Sequence, residues 1–481
     1  MTPTTSYPEL NMTSSNVVRT FTASSRMSHI SFGSSNSDLT PSNRSILSES
    51  SDSTPLPEDY VIKVKQMYAH ILVYTGDAPK STIPGLMAST TKNFDHRAQN
   101  VLKSHLYKIS PDKFKTTYRN VVRAENFDII LLRYLKKRKF NVLKALALFA
   151  DFMVWRVKFA IDELNERGDE GALASGDEGF ILQYKLGKAV FNQGRDKAGR
   201  PLVIVRVQRH NPKAQSDAAM NRFIAKVFED AKLLLLGYNE SGAAIFDLTD
   251  FTISNMDYSA VKMINSCYKF YVGLLGHVYI YNAPSIFLTI WKAIKVWLDP
   301  SLVARVTFTK NLSKHITADN LPPDMEGTQP HIYEYKQVVP GENRKMKDLE
   351  TIDRLQTTRG ELFDLLSDLT VLWIKAPENT QLTHNLAKQR ALVLDDLRRN
   401  YYQLDPYIRG RTVYDRDGTF GAIVPELTEG YAESEAAGIV LSQSASSIVT
   451  AVNNPPPDSS PRASHSPKHM HTKVSLVPLI V

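Results

Sequence analysis

The 481-residue sequence predicts an α/β fold built from a helical N-terminal unit, a mostly parallel β-sheet with crossover helices, and a helical C-terminal extension. Three observations predict it. Between about residues 180 and 337, short β-favouring runs alternate with helical patterns, the sequence order of a parallel sheet. Those runs are nearly continuous in apolar residues, as strands covered on both faces are. The stretches before and after repeat their apolar residues at helical spacing.

Residues 1–57 are dominated by Ser, Thr and Asn and are expected to be disordered. Residues 58–165 form the expected helical unit. There Phe127, Ile130, Leu131, Tyr134 and Leu135 recur at helical spacing, followed by the basic run Lys136, Lys137, Arg138 and Lys139. That run reads as a solvated helix end, where cations also complement the helix dipole. Asn141 is placed to cap the next helix, whose Leu146, Phe149, Met153 and Val157 share a face. Residues 175–337 hold the sheet. Its expected strands are Leu202 to Val205, Ala244 to Phe246, Val278 to Tyr281 and Val306 to Phe308, with helices near 216–236, 257–272 and 285–298. Residues 338–435 are expected to form the helical extension, from Leu362, Leu365, Leu366, Leu369 and Leu372 and a second pattern over 384–404. Its Arg409, Arg411 and Arg416 read as solvated surface, with phosphate contact as the alternative. Residues 436–481, which include His465, His469 and His471, are expected to be a second disordered tail rather than a metal site.

Composition narrows the function classes. The single cysteine, Cys267, supplies neither an internal disulfide nor a thiolate metal cluster, and fits a reducing compartment. No run of eighteen apolar residues predicts a membrane span, and the N-terminus lacks an apolar signal core, so a cytoplasmic protein is expected. The formal charge of +8 is compatible with phosphate partners or with plain solubility. The basic run lacks interleaved aromatics, which argues against nucleic acid. Enzyme signatures are scarce: there is no Gly-x-Ser-x-Gly elbow, phosphate loop, dinucleotide fingerprint or His-Glu-x-x-His. Asp247 and Asp250 flank a strand end and read as turn residues. His277 opens a strand without an evident serine partner.

The informative segment is 284–298, PSIFLTIWKAIKVWL. Its polar residues Ser285, Thr289, Lys292 and Lys295 form one narrow stripe, and nearly all else is apolar. Such a helix is either fully buried in a core, or a lid with one apolar side over a ligand and the other against lipid. Two tryptophans and two lysines suit a membrane interface.

Five segments over residues 95–337 resemble the CRAL-TRIO lipid-binding proteins, in particular the phosphatidylinositol/phosphatidylcholine transfer proteins of the secretory pathway. They are LLRYLKKRKFNVLKALALFADFMVWR, DKAGRPL, IFDLTDFTISNMD, VYIYNAPSIFLTIWKAIKVWLDP and ADNLPPDMEG, in the family's order. The resemblance implies an apolar pocket floored by the sheet and a mobile gate at 285–298. Ile286, Phe287, Ile290, Trp291, Ile294, Trp297 and Leu298 are then the pocket and gate residues. Arg138, with Lys139 beside it, occupies a phosphate-recognition position of the family, and Arg305 stands where the family has lysine. The family's glutamate, threonine and small polar residues are replaced by Gly273, Leu302, Gly242 and Ala244. Since an unpaired buried polar group costs roughly 1–3 kcal/mol, this changes the headgroup geometry or favours a more apolar cargo.

The expected function is therefore intracellular lipid transfer without catalysis or cofactor. One lipid, phosphatidylinositol as first choice, is enclosed and exchanged during transient membrane association. The alternatives are a lipid-sensing adaptor that presents its bound lipid, phosphatidylinositol or a sterol or isoprenoid, to a protein partner through the tails and the C-terminal extension, and an α/β hydrolase.

Overall fold

The computed structural model describes residues 58–82, 93–235 and 241–427. The expected tails at 1–57 and 436–481, with their three histidines, lie outside the described residues. Seven helices come first: α1 (Glu58–Thr75), α2 (Phe94–His105), α3 (Pro111–Val122), α4 (Phe127–Lys137), α5 (Val142–Lys158), α6 (Ile161–Ala174) and α7 (Glu178–Lys185). Local sequence sets their starts. The side chains of Ser110, Asn126 and Asn141 accept bonds from the first-turn amides of α3, α4 and α5. The apolar stripe read from α4 is buried throughout.

The sheet follows, with strands β1 (Ala189–Arg195), β2 (Pro201–Arg206), β3 (Gly242–Asp247), β4 (Leu275–Tyr281) and β5 (Val306–Thr309) in spatial order β1-β2-β3-β4-β5. β1 runs antiparallel to β2, and the other pairs are parallel. The crossovers are α8 (Asp217–Leu233), α9 (Tyr258–Phe270), and α10 (Ser285–Ile294) with the short α11 (Pro300–Val303). Because side chains alternate along a strand, the sheet has two distinct faces. Leu202, Ile204, Ala243, Ile245, Tyr279 and Tyr281 pack on Leu312, Ile316, Leu321 and Met325 behind it. The register aligns Phe191, Val203, Ala244, Val278 and Val306 as one row across the front.

After the sheet come α12 (Leu349–Lys375) and α13 (Gln381–Ile408), then α14 (Val413–Arg416) and α15 (Thr419–Ile423). Leu362, Leu366 and Leu369 are buried in the same cluster as Val64, Leu131 and Phe149 of the N-terminal helices. Arg390 of α13 grips Asp128 of α4 with two bonds of 2.9 and 2.6 Å, and its guanidinium lies 4.3 Å from the Trp373 ring. The three arginines near the end correct the sequence reading. Arg409 is buried between Asp405 and Asp415, Arg411 bridges the same pair, and Arg416 binds Asp169 and Glu342. These carboxylate pairs tie residues 405–416 to one another and, through Arg416 and Asp169, to α6, so the three arginines are ion-paired within the fold rather than a solvated surface.

Candidate functional site

The front face of the sheet floors a cavity of about 270 Å³. Val203, Val205, Ala244, Phe246, Val278 and Ile280 form the floor, α8 and α9 supply Phe223, Val227 and Ile264, and α10 closes the top. All three crossover helices stand on this one face, as right-handed connections between strands in monotonic order require. Among the described residues that line it, only Lys188, His210, Asn255 and Asp257 bring hydrogen-bonding groups other than the Trp291 indole.

Helix α10 is two-sided. Phe287, Trp291, Ile294 and the following Leu298 line the cavity, with Ile290 half-buried beside them. Phe287 meets Phe251 edge-on at 5.4 Å, and Trp291 meets Phe308 at 5.5 Å. On the other side Ile286, Leu288, Val296 and Trp297 are 44%, 47%, 72% and 48% exposed, beside exposed Lys292 and Lys295. The fully buried core helix is thereby excluded. Trp297 contributes to the outer side, against Tyr258 at 5.8 Å, and does not line the cavity. The helix also ends at Ile294 rather than at 298. Asp299 accepts from the Ser301 amide and starts α11 with Pro300, and a residue before proline is pushed out of helical conformation. Beyond it, Lys137 at the end of α4 binds Asp299 and Ser301 Oγ, both at 2.8 Å, and its ammonium lies 4.9 Å from the Tyr268 ring. The residues after α10 are thus tied to the N-terminal helices.

The polar lining residues form one cluster that the sequence did not reveal. Lys188 precedes β1, His210 follows β2 and Asp257 caps α9. The Lys188 ammonium donates to Gln183 Oε1 and, at 2.8 Å, to His210 Nδ1. His210 Nε2 donates to Asp257 Oδ2 at 3.1 Å, which fixes its tautomer. Asn255 Nδ2 bonds the His210 carbonyl at 2.8 Å. Burial pulls the Lys188 pKa down to about 8 against the opposite pull of Asp257. Burial and the Lys188 charge also lower His210, outweighing its bond to Asp257. No spacing motif joins positions 188, 210 and 257; they converge because β1 and β2 are antiparallel neighbours and the α9 cap abuts their end.

The headgroup candidates lie elsewhere. Arg138 caps the end of α4 half-buried, its Nε without a hydrogen-bond partner, and Lys139 is exposed. Arg305 is exposed and donates to the Leu275 carbonyl at 3.0 Å. None of the three lines the cavity. Gly242, Ala244 and Leu302 do line it, as apolar surface, whereas Gly273 sits outside against Arg133. Asp247 holds the Thr249 amide and hydroxyl at 3.0 and 2.6 Å, a turn role, and His277 Nε2 contacts the Thr307 hydroxyl at 2.9 Å. Cys267 is fully buried and burial raises its pKa, the reverse of what a nucleophile needs. No helix of the described residues is long and apolar enough to cross a membrane.

Comparison with known proteins places this arrangement. The CRAL/TRIO domain matches residues 185–327, a span that contains all five strands, α8 to α10 and the whole polar cluster. A CRAL-TRIO domain-containing protein of Schizosaccharomyces pombe is 32% identical over 349 residues, covering 71% of this chain and 76% of that protein. The phosphatidylinositol transfer protein CSR1 of Eremothecium gossypii is 32% identical over 306 residues, covering 62% of this chain and 70% of that protein. The crystal structure of Sfh5 superposes with a TM-score of 0.33 at 15% identity, over 47% of this chain and 84% of that chain.

Proposed function

The chain belongs to the CRAL/TRIO family, and from that premise we propose that it carries one lipid, enclosed between the sheet and α10 and exchanged where that helix meets a membrane. The observation that carries the reading is the two-sidedness of α10. Its inner side closes an apolar cavity, and its outer side with the turn that follows holds Leu288, Val296 and Trp297 in water beside two lysines. That outer surface is unfavourable in solution and favourable at a bilayer interface, where the lysines meet headgroups. Carrying a lipid makes and breaks no covalent bond. The cavity has only to replace the bilayer as an apolar solvent for the chain, at about 0.8 kcal/mol per methylene, so that entry and exit stay nearly balanced.

Phosphatidylinositol is the proposed cargo, since one relative carries that name. Arg138 and Arg305, with Lys139, are its proposed phosphate contacts. They lie in the two segments joined by the Lys137–Asp299 ion pair and outside the cavity lining, so in this proposal the phosphodiester stays outside the cavity and the acyl chains enter it. Lipids extracted from the purified full chain, identified by mass spectrometry, are expected to include phosphatidylinositol in stoichiometric amount. Labelled phosphatidylinositol is expected to move between vesicles in proportion to added protein. A chain that purifies empty and transfers nothing refutes the proposal.

A further inference from the structure

The cavity has one polar end whose chemistry the proposed phosphate contacts do not explain. Lys188 is 2% exposed and His210 7%, so neither is a surface residue that happens to face inward. Lys188 stands next to Ala189, which pairs with Val205 at the C-terminal end of β2. Leu275 and Val306, on the side of Arg305, stand at the N-terminal starts of β4 and β5. The cluster and Arg305 therefore lie at opposite ends of the parallel strands, with the apolar row between them.

The donor and acceptor count says what this end accepts. Among the described residues, Lys188 commits two of its three N–H groups, one to Gln183 and one to His210. Both acceptors are neutral, so no carboxylate touches the ammonium; Asp257 reaches it only through the imidazole. Both nitrogens of His210 are engaged, and the Asn255 amide donates to the Gln208 and His210 carbonyls. What remains for a ligand is one N–H of a buried cation, surrounded by apolar walls. An inositol ring needs many partners, and among the described residues this end leaves it one N–H. A compact anion on an aliphatic chain needs one strong donor and a dry channel, and a charged pair is stronger there than in water.

We infer that Lys188, held by Gln183 and His210, is an internal subsite for the carboxylate of a long-chain fatty acid whose tail runs along the sheet towards α10. The inference rests on the lipid-carrier reading. It is tested on delipidated full-length protein by titration calorimetry with oleate and with oleyl alcohol, which share a chain and differ in charge. Oleate is expected to bind roughly ten- to a hundredfold tighter, the range for a hydrogen bond to a charged group. Lys188→Met is expected to abolish that preference and leave the alcohol unchanged, and Lys188→Arg to restore part of it. Equal affinity of the two ligands for the wild-type protein overturns the subsite while the carrier reading stands, and needs no variant to fold. An undiminished preference in a folded Lys188→Met protein overturns it as well. Failure to bind either ligand, in a chain that also purifies empty, removes both readings together.

Discussion

Glu229 is fully buried between two guanidinium groups, bonded to Arg156 at 2.5 Å and Arg123 at 2.6 Å, with Asn165 donating to it at 2.8 Å. Burial alone would raise its pKa; the two arginines outweigh burial and hold the carboxyl well below the usual range. A carboxylate whose folded pKa is depressed stabilises the fold above its unfolded pKa of about 4.3 and loses that contribution as the pH falls. Glu229→Gln leaves two arginines buried without their shared counter-ion, and is expected to cost about 3–5 kcal/mol in urea unfolding at neutral pH. Its stability should also fall less steeply than the wild type's below about pH 4, because this titration is missing. An equally steep acid limb in the variant would show that other carboxylates set it. Arg156 was legible only as the last residue of the first family-like segment; its partner Glu229 was not, since it stands 73 positions away and only packing joins them. The Lys188 cluster was hidden for the same reason.

At the scale of the element, α10 shows what a sequence pattern settles and what it leaves open. Its narrow polar stripe admitted a core helix or a lid, and only the exposed positions of Leu288 and Trp297 rule out the core helix. Its end was overestimated because apolar periodicity continues through Val296 and Trp297, while Asp299 and Pro300 had already committed the chain to a new start. The parallel strands were legible because both their faces are covered, which makes them apolar runs. β1 was not, since Asn192, Gln193 and Gly194 interrupt it at the sheet edge. There Asn192 donates to the Asn320 carbonyl at 2.7 Å, and a Cβ on Gly194 would meet that oxygen at 2.6 Å. If α10 is the membrane-facing element, replacing Leu288 and Trp297 together with alanine should weaken sedimentation with phosphatidylinositol-containing vesicles. Each lost apolar side chain is worth about 1.5–3 kcal/mol if fully transferred, so roughly tenfold per residue is the expected scale. The thermal midpoint should stay within a few degrees, because both side chains are about half exposed already. Unchanged vesicle binding would move the membrane contact to another surface.

For the molecule as a whole, the question is whether the C-terminal helices are an appendage or part of the fold. Sequence placed a helical extension there but could not say what it covers, since an amphipathic stripe names no partner. Leu362, Leu366, Leu369, Trp373, Leu394 and Leu397 are all buried in the cluster that includes Met67, Ile71 and Leu131. Lys65, fully buried on α1, pairs with Glu378 at 2.7 Å, and Asp128 on α4 depends on Arg390. Deleting residues 348–481 would strip two helices from the N-terminal core and leave Lys65 and Asp128 without these partners, a loss well beyond the 5–15 kcal/mol that folded domains of ordinary stability possess. The truncated chain is accordingly expected to be insoluble, or to bind hydrophobic dye without a cooperative thermal transition. A truncated chain that melts cooperatively and still transfers lipid would establish that the sheet and its preceding helices fold alone, and would free α12 and α13 for a partner. The expected outcome is the opposite: these helices are structural, and a lipid-sensing role for them has to act through the faces they leave in solvent, such as Leu382 and Leu392, rather than by undocking.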